Sequence, residues 1–201
     1  MTEHWRLQGT TAKVACGPLL AELDVQRPMM GLHKLQLPGK AVNGWLLGVD
    51  VREESSPGEQ AWPPLDVYTR GSDLVAKYQE PAGQPYHLEI YWRVLEPRKH
   101  MSGVIEAIVS VQTRQWEAYP HLTVTSALDV VQARLHHGGV NFLSRHDWSY
   151  VEASPPGDFA ASLSEPSAQL SRACWSYGKR FMERGVIRRL RLRGAFATIA
   201  N

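Results

Sequence analysis

The residues best suited to chemistry lie in one short segment, "LHHGGVNFLSRHDWSY", at positions 135–150. A histidine titrates near neutral pH, so together with a carboxylate it can act as a general acid or base. His146 with Asp147, and His137 as a further base, are therefore predicted as catalytic residues. The alternative is that these side chains are exposed in loops beside the Gly138–Gly139 turn. The segment predicts no metal site.

A second candidate catalytic residue is Glu106, which lies in the middle of the apolar run "GVIEAIVSVQT". A carboxylate on a strand that faces a concave sheet can serve as an acid, a base or a nucleophile. It can equally face solvent and pair with an arginine on the next strand. We favour the pairing for Glu106 and also for Glu89, which has the same kind of position in "HLEIYWRVLE".

The chain has seven tryptophans, and an exposed tryptophan ring can stack against the C–H face of a sugar. Trp62 and Trp116 lie beside turns and Trp148 lies within the histidine-rich segment, so these three are predicted to contact a ligand. The alternative for each is packing beneath a loop. Trp92 is in phase with apolar neighbours and is predicted to lie in the core.

Near the C-terminus, "GVIRRLRLRGAF" at 185–196 places four arginines within six positions. With the two-residue period of a strand, Arg189, Arg191 and Arg193 share one face while Leu190 and Leu192 face the core. We expect glutamates on neighbouring strands to neutralise this row. An anionic ligand and nucleic acid are the alternatives. Nucleic acid is the weaker one, because leucines alternate with the arginines where an RNA-binding sheet has aromatic residues.

The elements that must position these residues are mostly strands. Residues 86–95 and 103–113 alternate apolar and polar side chains, and the second run also carries apolar residues on its other face. Residues 65–80 predict a hairpin about the Arg70–Asp73 turn. About eight short strands follow one another without crossover helices. The sequence therefore predicts a mainly β, antiparallel fold, a β-sandwich or open half-barrel with one or two short helices.

Two segments have helical spacing. In 164–181 the residues Leu170, Cys174, Tyr177 and Phe181 recur every three or four positions, which predicts a helix, with a strand as the alternative. The segment 126–139 predicts a second, weaker helix that ends at the two glycines.

The length of 201 residues and the 43% hydrophobic fraction predict one globular domain over residues 1–201. The net charge of +2 includes a local excess of cations in residues 134–201, which hold ten Lys/Arg and five Asp/Glu. The only cysteines, Cys16 and Cys174, have no metal-ligand spacing and are predicted to be free thiols. The N-terminus has no signal-peptide pattern and the chain has no long apolar run, so we expect a cytoplasmic protein that is not in a membrane.

No nucleotide-binding, hydrolase or metalloprotease motif is present, and no cofactor is predicted. The first hypothesis is a domain that binds a small polyhydroxy or anionic ligand, carbohydrate-like, or that assembles with other proteins, without catalysis. The second is an enzyme that acts on a sugar or small anion through a His/carboxylate pair. The third is binding of nucleic acid or an acidic partner through Arg188–Arg193. A homodimer is a reasonable expectation from the polar strand faces.

Overall fold

The structure, a computed structural model, describes residues 4–51, 61–97, 101–145, 148–167 and 170–198. Its strands are short, and most are joined by tight turns. In chain order they are β1 (Trp5–Gln8), β2 (Thr11–Cys16), β3 (Leu19–Asp24), β4 (His33–Leu37), β5 (Lys40–Val42), β6 (Gly44–Asp50), β7 (Asp66–Arg70), β8 (Asp73–Gln79), β9 (Tyr86–Leu95), β10 (Gly103–Thr113), β11 (Glu117–Ala118), β12 (Thr123–Leu128), β13 (Gln132–His136), β14 (Gly139–Leu143), β15 (Trp148–Ala153), β16 (Ala160–Ser167), β17 (Leu170–Ser176), β18 (Met182–Glu183) and β19 (Ile187–Thr198).

These strands form four antiparallel sheets. The largest has eight strands in the order β13-β14-β15-β19-β10-β9-β8-β7. A five-stranded sheet follows chain order from β1 to β5, and a four-stranded sheet has the order β16-β17-β12-β6. The strands β11 and β18 make a two-stranded ribbon. The sheets are open, which confirms the prediction of a mainly β, antiparallel, sandwich-like fold.

The eight-stranded sheet is built as its periodicity predicts. In β9 every second residue is buried, including Trp92, and β10 is covered on both faces along nearly its whole length. The hairpin of β7 and β8 turns between Arg70 and Asp73, which are paired in the register. Because side chains alternate across a strand, these local patterns were sufficient to assign the buried face.

Most of the buried apolar residues of the three larger sheets belong to one core cluster. Polar contacts join the sheets at its margins: the Trp5 indole donates to the Ser72 carbonyl at 3.1 Å, and the Tyr78 hydroxyl donates to the Val25 carbonyl at 2.6 Å. The backbones of β2 and β10 approach so closely at Gly103 that a side chain there would press on the Cys16 carbonyl. The five-stranded sheet therefore packs directly against the eight-stranded one.

The helix predicted over 164–181 is wrong. Residues 170–176 form strand β17, in which Ser171, Ala173 and Trp175 are buried and the residues between them are not. The same residues thus satisfy a period of two, and pairing with β12 and β16 on either side selects the strand. The helix predicted over 126–139 is also wrong, since it spans the end of β12 and strand β13.

The helical parts of the described residues are two three-residue 3-10 helices, Pro28–Met30 and Pro81–Gly83. Both begin with a proline that starts a turn, and neither was predicted. The chain also has more strands than the roughly eight that were expected. Strands of two to five residues are too short to show a period of their own, so the pattern of the sequence does not reveal them.

Cys16 and Cys174 are not joined by a disulfide, as predicted. Cys16 is buried against β10, where its Sγ donates to the Val104 carbonyl at 3.4 Å. Burial raises the pKa of Cys16 to about 11, because the thiolate would lose its hydration. Cys174 is only half-buried.

Candidate functional site

The described structure has an open cleft of about 890 Å³. It lies where three sheets end: β5 supplies one wall, the segments after β12 and β14 supply another, and β17 contributes Ser171. We call it the Trp148 cleft, and its polar and aromatic lining is Lys40, Asn43, Asp129, Ser144, Arg145 and Trp148. These residues are distant in the chain, so only the packing of the sheets brings them together.

Trp148 occupies the first position of β15 and is half-buried. Its ring lies 5.9 Å from the ring of Phe196, which holds the indole at the end of the sandwich. It also lines a second, more apolar groove of about 240 Å³ together with Pro18, Leu37 and Lys40. The indole therefore stands between a polar cavity and an apolar groove, which is the arrangement in which a ring can stack while hydroxyls find hydrogen-bond partners.

The charges of the Trp148 cleft are mixed. Lys40 and Arg145 are exposed cations, and Asp129 is an exposed anion. Asn43 is also exposed. Its backbone carbonyl accepts from the backbone amide of Asp129 at 3.0 Å, which fixes one corner of the cleft. The cleft thus offers hydrogen-bond donors and acceptors of both charge signs around one aromatic ring.

A second polar cluster is completely enclosed. Glu152 of β15 has no exposed surface, and its carboxylate accepts from Ser126, from the Trp175 indole at 2.7 Å and from the Tyr150 hydroxyl at 3.2 Å. Ser126 in turn accepts from the Leu47 amide at 2.9 Å. These contacts tie the eight-stranded sheet to the four-stranded one across the core. With no opening to solvent, this cluster supports the fold and cannot receive a ligand.

Burial controls the titration of this buried cluster. It raises the pKa of Glu152 above its ordinary value, and the three donors oppose that shift without cancelling it. Burial and the neighbouring carboxylate raise the pKa of Tyr150 well above 10. The Tyr150 hydroxyl lies against Gly194 on the adjacent strand, where a side chain would collide with it. Sequence reasoning missed Glu152, although its phase with Tyr150 in "SYVEA" was a usable signal.

The arginine row on β19 follows the predicted phase. Leu190 and Leu192 are buried, and Arg189, Arg191 and Arg193 lie on the opposite face. Strand β19 pairs with β10 along the whole row, but it pairs with β15 only from Arg193 onward.

Glu106 neutralises one end of the row, as predicted. It pairs with Arg193 at 2.8 Å, and Arg193 registers opposite it on the adjacent strand. The register continues from Glu106 to Arg93 and Asp73, so charges alternate in sign across four strands. Between these arginines Glu106 is buried, which differs from the expected exposure to solvent.

Glu89 does not neutralise the row, so that part of the prediction is wrong. It lies 3.7 Å from Lys77 and accepts from the Tyr91 hydroxyl at 3.0 Å. Arg191 instead pairs with Asp158 at 3.8 Å. Arg189 donates to the Ser110 hydroxyl at 3.3 Å and lies 5.9 Å from the Tyr91 ring. The three arginines of one regular pattern thus have three different environments.

The predicted catalytic residues are not brought together where they are described. His137 lies in the turn between β13 and β14, with its ring 4.1 Å from that of His136. Strand β13 is four positions from β10 in the sheet, so His137 and Glu106 are separated by roughly 19 Å. His146 and Asp147 lie outside the described residues, and their role stays a prediction. Among the described part of the chain, no three His, Cys, Asp or Glu side chains are grouped to hold a metal ion.

The tryptophans predicted to contact a ligand differ in exposure. Trp62 is only 1% exposed and packs edge-on against Tyr78 at 5.7 Å, so the prediction that its ring is open to a ligand is wrong. Trp62 lies beside a proline-rich turn in the sequence, and this local pattern did not predict that its ring is buried in the core. Trp116 is 79% exposed, as expected, and its ring lies 5.1 Å from the Arg184 guanidinium. Trp116 lies outside the Trp148 cleft.

No protein-family model matches the chain, and neither does any curated protein. Solved structures do match its fold. Heparan sulfate lyase HepC from Pedobacter heparinus superimposes with a TM-score of 0.58 at 10% sequence identity, over 94% of this chain and 33% of the lyase. A HepC mutant gives 0.55 at 13% identity, over 93% and 33% of the two chains. The heparinase III BT4657 gene product gives 0.51 at 7% identity, over 98% and 34%.

The chain therefore spans about a third of the length of these lyases, and the likeness at such low identity shows a shared fold. Within the described residues, no helix combines the length and the apolar character needed to cross a bilayer.

Proposed function

We propose that the protein is a single β-domain that binds a carbohydrate-like, polyhydroxy ligand in the Trp148 cleft, without catalysing a reaction. The observation that carries this proposal is the position of Trp148 in an open cleft of about 890 Å³, between a polar wall and an apolar groove. A sugar ring has apolar C–H faces and a rim of hydroxyls, so it matches an indole surrounded by amide, hydroxyl and charged side chains.

The mixed charge of the cleft supports a polyhydroxy ligand over a strongly charged one. Lys40 and Arg145 can donate to ring or hydroxyl oxygens, and Asp129 can accept from hydroxyls. The proteins that share the fold include a heparan sulfate lyase, whose name refers to a glycan. That similarity supports a glycan ligand here but does not define which one.

The absence of catalysis is proposed from the position of the described candidates. Glu106 pairs with Arg193 and registers opposite Arg93, and His137 lies at the far edge of the sheet from it. Release of a shortened product from any glycan that binds the wild-type protein would contradict this part of the proposal.

Replacement of Trp148 by alanine is expected to weaken binding of the ligand by at least about tenfold, because the stacking surface is lost. The ligand would first be identified for the wild-type protein on a glycan array that includes neutral and acidic oligosaccharides. Isothermal titration calorimetry would then compare the affinities of the wild type and the variant.

The matched control is Trp116→Ala, which removes an exposed tryptophan outside the cleft. We expect this variant to bind within about twofold of the wild type, as a surface residue without ligand contact should. Two results would refute the assignment of the cleft: no binding of any glycan by the wild type, or loss of binding in Trp116→Ala with retention in Trp148→Ala.

A further inference from the structure

A separate groove lies at the other end of β19. It has a volume of about 310 Å³, and we call it the arginine groove. Three arginines, two aromatic rings and one carboxylate line it: Arg180, Arg188, Arg189, Tyr177, Phe181 and Asp158. Trp148 registers with Thr198, nine positions beyond Arg189 on the same strand. At the rise of a β-strand this separates the arginine groove from the Trp148 cleft by roughly 30 Å.

No carboxylate of the described residues forms an ion pair with the three arginines of this groove. Arg180 donates to the Gly157 carbonyl at 2.6 Å and stacks over the Tyr177 ring at 5.1 Å. Arg189 donates to the Ser110 hydroxyl, and Arg188 is exposed. In the part of the chain that the structure describes, none of the three forms an ion pair.

The one carboxylate in the lining does not neutralise them. Asp158 accepts from the Arg191 backbone amide at 3.0 Å and pairs with the Arg191 side chain at 3.8 Å. Its charge is therefore balanced by a fourth arginine, which belongs to the row on the sheet. Among the described residues, Arg180, Arg188 and Arg189 therefore lack the carboxylate partner that Arg193 and Arg93 each have.

Arginines that line one depression without counter-charges give it a positive potential, and an oxyanion placed there is attracted by that potential. Arginine also matches the planar or tetrahedral geometry of carboxylate, sulfate and phosphate oxygens with paired donors. The partly exposed guanidinium of Arg180 is already oriented by its contacts with Gly157 and Tyr177. Part of the entropy cost of binding an anion is therefore met in the free protein.

The rest of the lining indicates what carries the anion. Phe181 and Ile187 are exposed apolar side chains at the groove, and Tyr177 forms a further wall. Such surfaces contact a ring or a short apolar body better than they contact a hydrated inorganic ion. A volume near 300 Å³ lies at the lower end of the range for small-ligand sites.

A single nucleic-acid strand fits these features less well. Each ring already has a partner: Arg180 covers Tyr177, and Phe181 packs on Tyr119 at 5.9 Å. Binding of a single strand usually needs free ring faces on which several successive bases stack, along a longer basic path. The arginine groove offers three cations around one short depression.

We propose that the arginine groove is a second binding site, which takes a carboxylate, sulfate or phosphate group carried on a small ring. This site does not depend on the Trp148 cleft, because it shares no lining residue with it. We expect a higher salt concentration to lower the affinity of this site for its ligand, because salt screens the attraction between exposed arginines and the anion.

The test uses four molecules with the same ring: glucose, glucuronate, glucose 6-sulfate and glucose 6-phosphate. Binding to the full chain would be followed by NMR shifts of the arginine side-chain Nε–H groups and by calorimetry. We expect at least one of the three anions to bind at least about tenfold more tightly than glucose, with dissociation constants of about 10 mM or below. The shifts should be confined to the arginines of the groove.

The variant for this test is Arg188→Gln combined with Arg189→Gln, and its matched control is Arg134→Gln combined with Arg172→Gln. All four arginines are exposed residues on strands, and the control pair lies outside the groove. We expect the groove variant to lose at least about tenfold in affinity for the preferred anion and the control to change by less than about twofold. Arg180→Gln alone should give an intermediate loss.

Equal binding of glucose and the three anions, or no binding of any anion, would overturn the proposal, as would an equal loss in the control pair. Nucleic-acid binding would replace the proposal if a thymidine decamer bound at least about tenfold more tightly than the sugars and if the groove variant lost that binding. Trp148→Ala should leave anion binding unchanged. Failure of the Trp148 cleft and failure of the arginine groove are therefore separate results.

Discussion

Replacement of Glu152 by alanine is expected to lower the free energy of unfolding by about 4 kcal/mol. The carboxylate is completely buried and accepts from Ser126, Trp175 and Tyr150. Alanine leaves all three donors without this acceptor inside the core and adds a cavity, and both effects destabilise the folded state. Urea unfolding followed by far-UV circular dichroism measures the difference.

Glu152→Gln is the matched control for this substitution, because glutamine keeps the size of the side chain and one accepting oxygen. We expect it to cost about 2 kcal/mol or less at neutral pH. A loss as large as that of the alanine variant would mean that the hydrogen bonds to the second oxygen, or the negative charge itself, hold the sheets together.

The same pair of proteins gives a pH dependence with a definite sign. Burial raises the pKa of Glu152 in the folded state above its ordinary value of 4.5. Below about pH 4.5 the Glu152 carboxyl is protonated in both the folded and the unfolded protein. Its favourable contribution to the free energy of unfolding is then fully present. As the pH rises through the folded pKa, the folded protein must bury a charge, so the wild type loses stability relative to Glu152→Gln. If the wild type instead became more stable relative to Glu152→Gln as the pH rises, burial of a charged Glu152 would not be the cause of the pH dependence.

Arg93→Gln is expected to lower the free energy of unfolding by about 2–3 kcal/mol. Arg93 binds Asp73 with two parallel hydrogen bonds of 2.7 and 2.8 Å, and the Asp73 side chain is only 6% exposed. These hydrogen bonds raise the pKa of Arg93 above its ordinary value. Glutamine leaves a nearly buried carboxylate without its cation. Because Arg93 itself is partly exposed, the loss is smaller than for a fully enclosed pair.

Lys77→Gln is the control on the same face of the sheet. Lys77 lies 3.7 Å from Glu89 and 3.9 Å from Asp66, and all three side chains are partly exposed. We expect a cost below about 1 kcal/mol that disappears near 0.5 M NaCl, whereas the cost of Arg93→Gln should persist. Chemical denaturation with urea at low and high salt distinguishes the two. Equal costs for the two variants would show that burial of Asp73 is unimportant.

The local periodicity of the chain determined much of the fold. The alternation in 86–95 and 103–113 and the leucines of 185–196 correctly assigned buried faces, because the direction of successive side chains in a strand is a local property. The hairpin at Arg70–Asp73 was predictable for the same reason, since turn residues and strand pattern are adjacent in the chain. The pairing of Glu106 with an arginine of the row was predicted from strand phase and charge, whereas Glu89, predicted on the same grounds, pairs with Lys77 instead.

Other features could not be predicted because they depend on partners that are distant in the sequence. Residues 170–176 fit a helix and a strand equally well, and the neighbouring strands selected the strand. Trp62 has the composition of an exposed turn around it, yet Tyr78 and the core cover it. Where the local pattern is ambiguous, the secondary structure and burial of a residue are therefore determined by its tertiary contacts.

The candidate sites show the same division between local and tertiary information. Residue types and strand phase determined that the protein has a row of arginines, a surplus of tryptophans and antiparallel sheets. Only the tertiary structure decided that Asp158 neutralises Arg191 while Arg180, Arg188 and Arg189 line one groove, and that Trp148 stands in an open cleft. The physical reason is that charge balance and burial depend on distances between sheets, and the sequence specifies those distances only through the packing of the whole core.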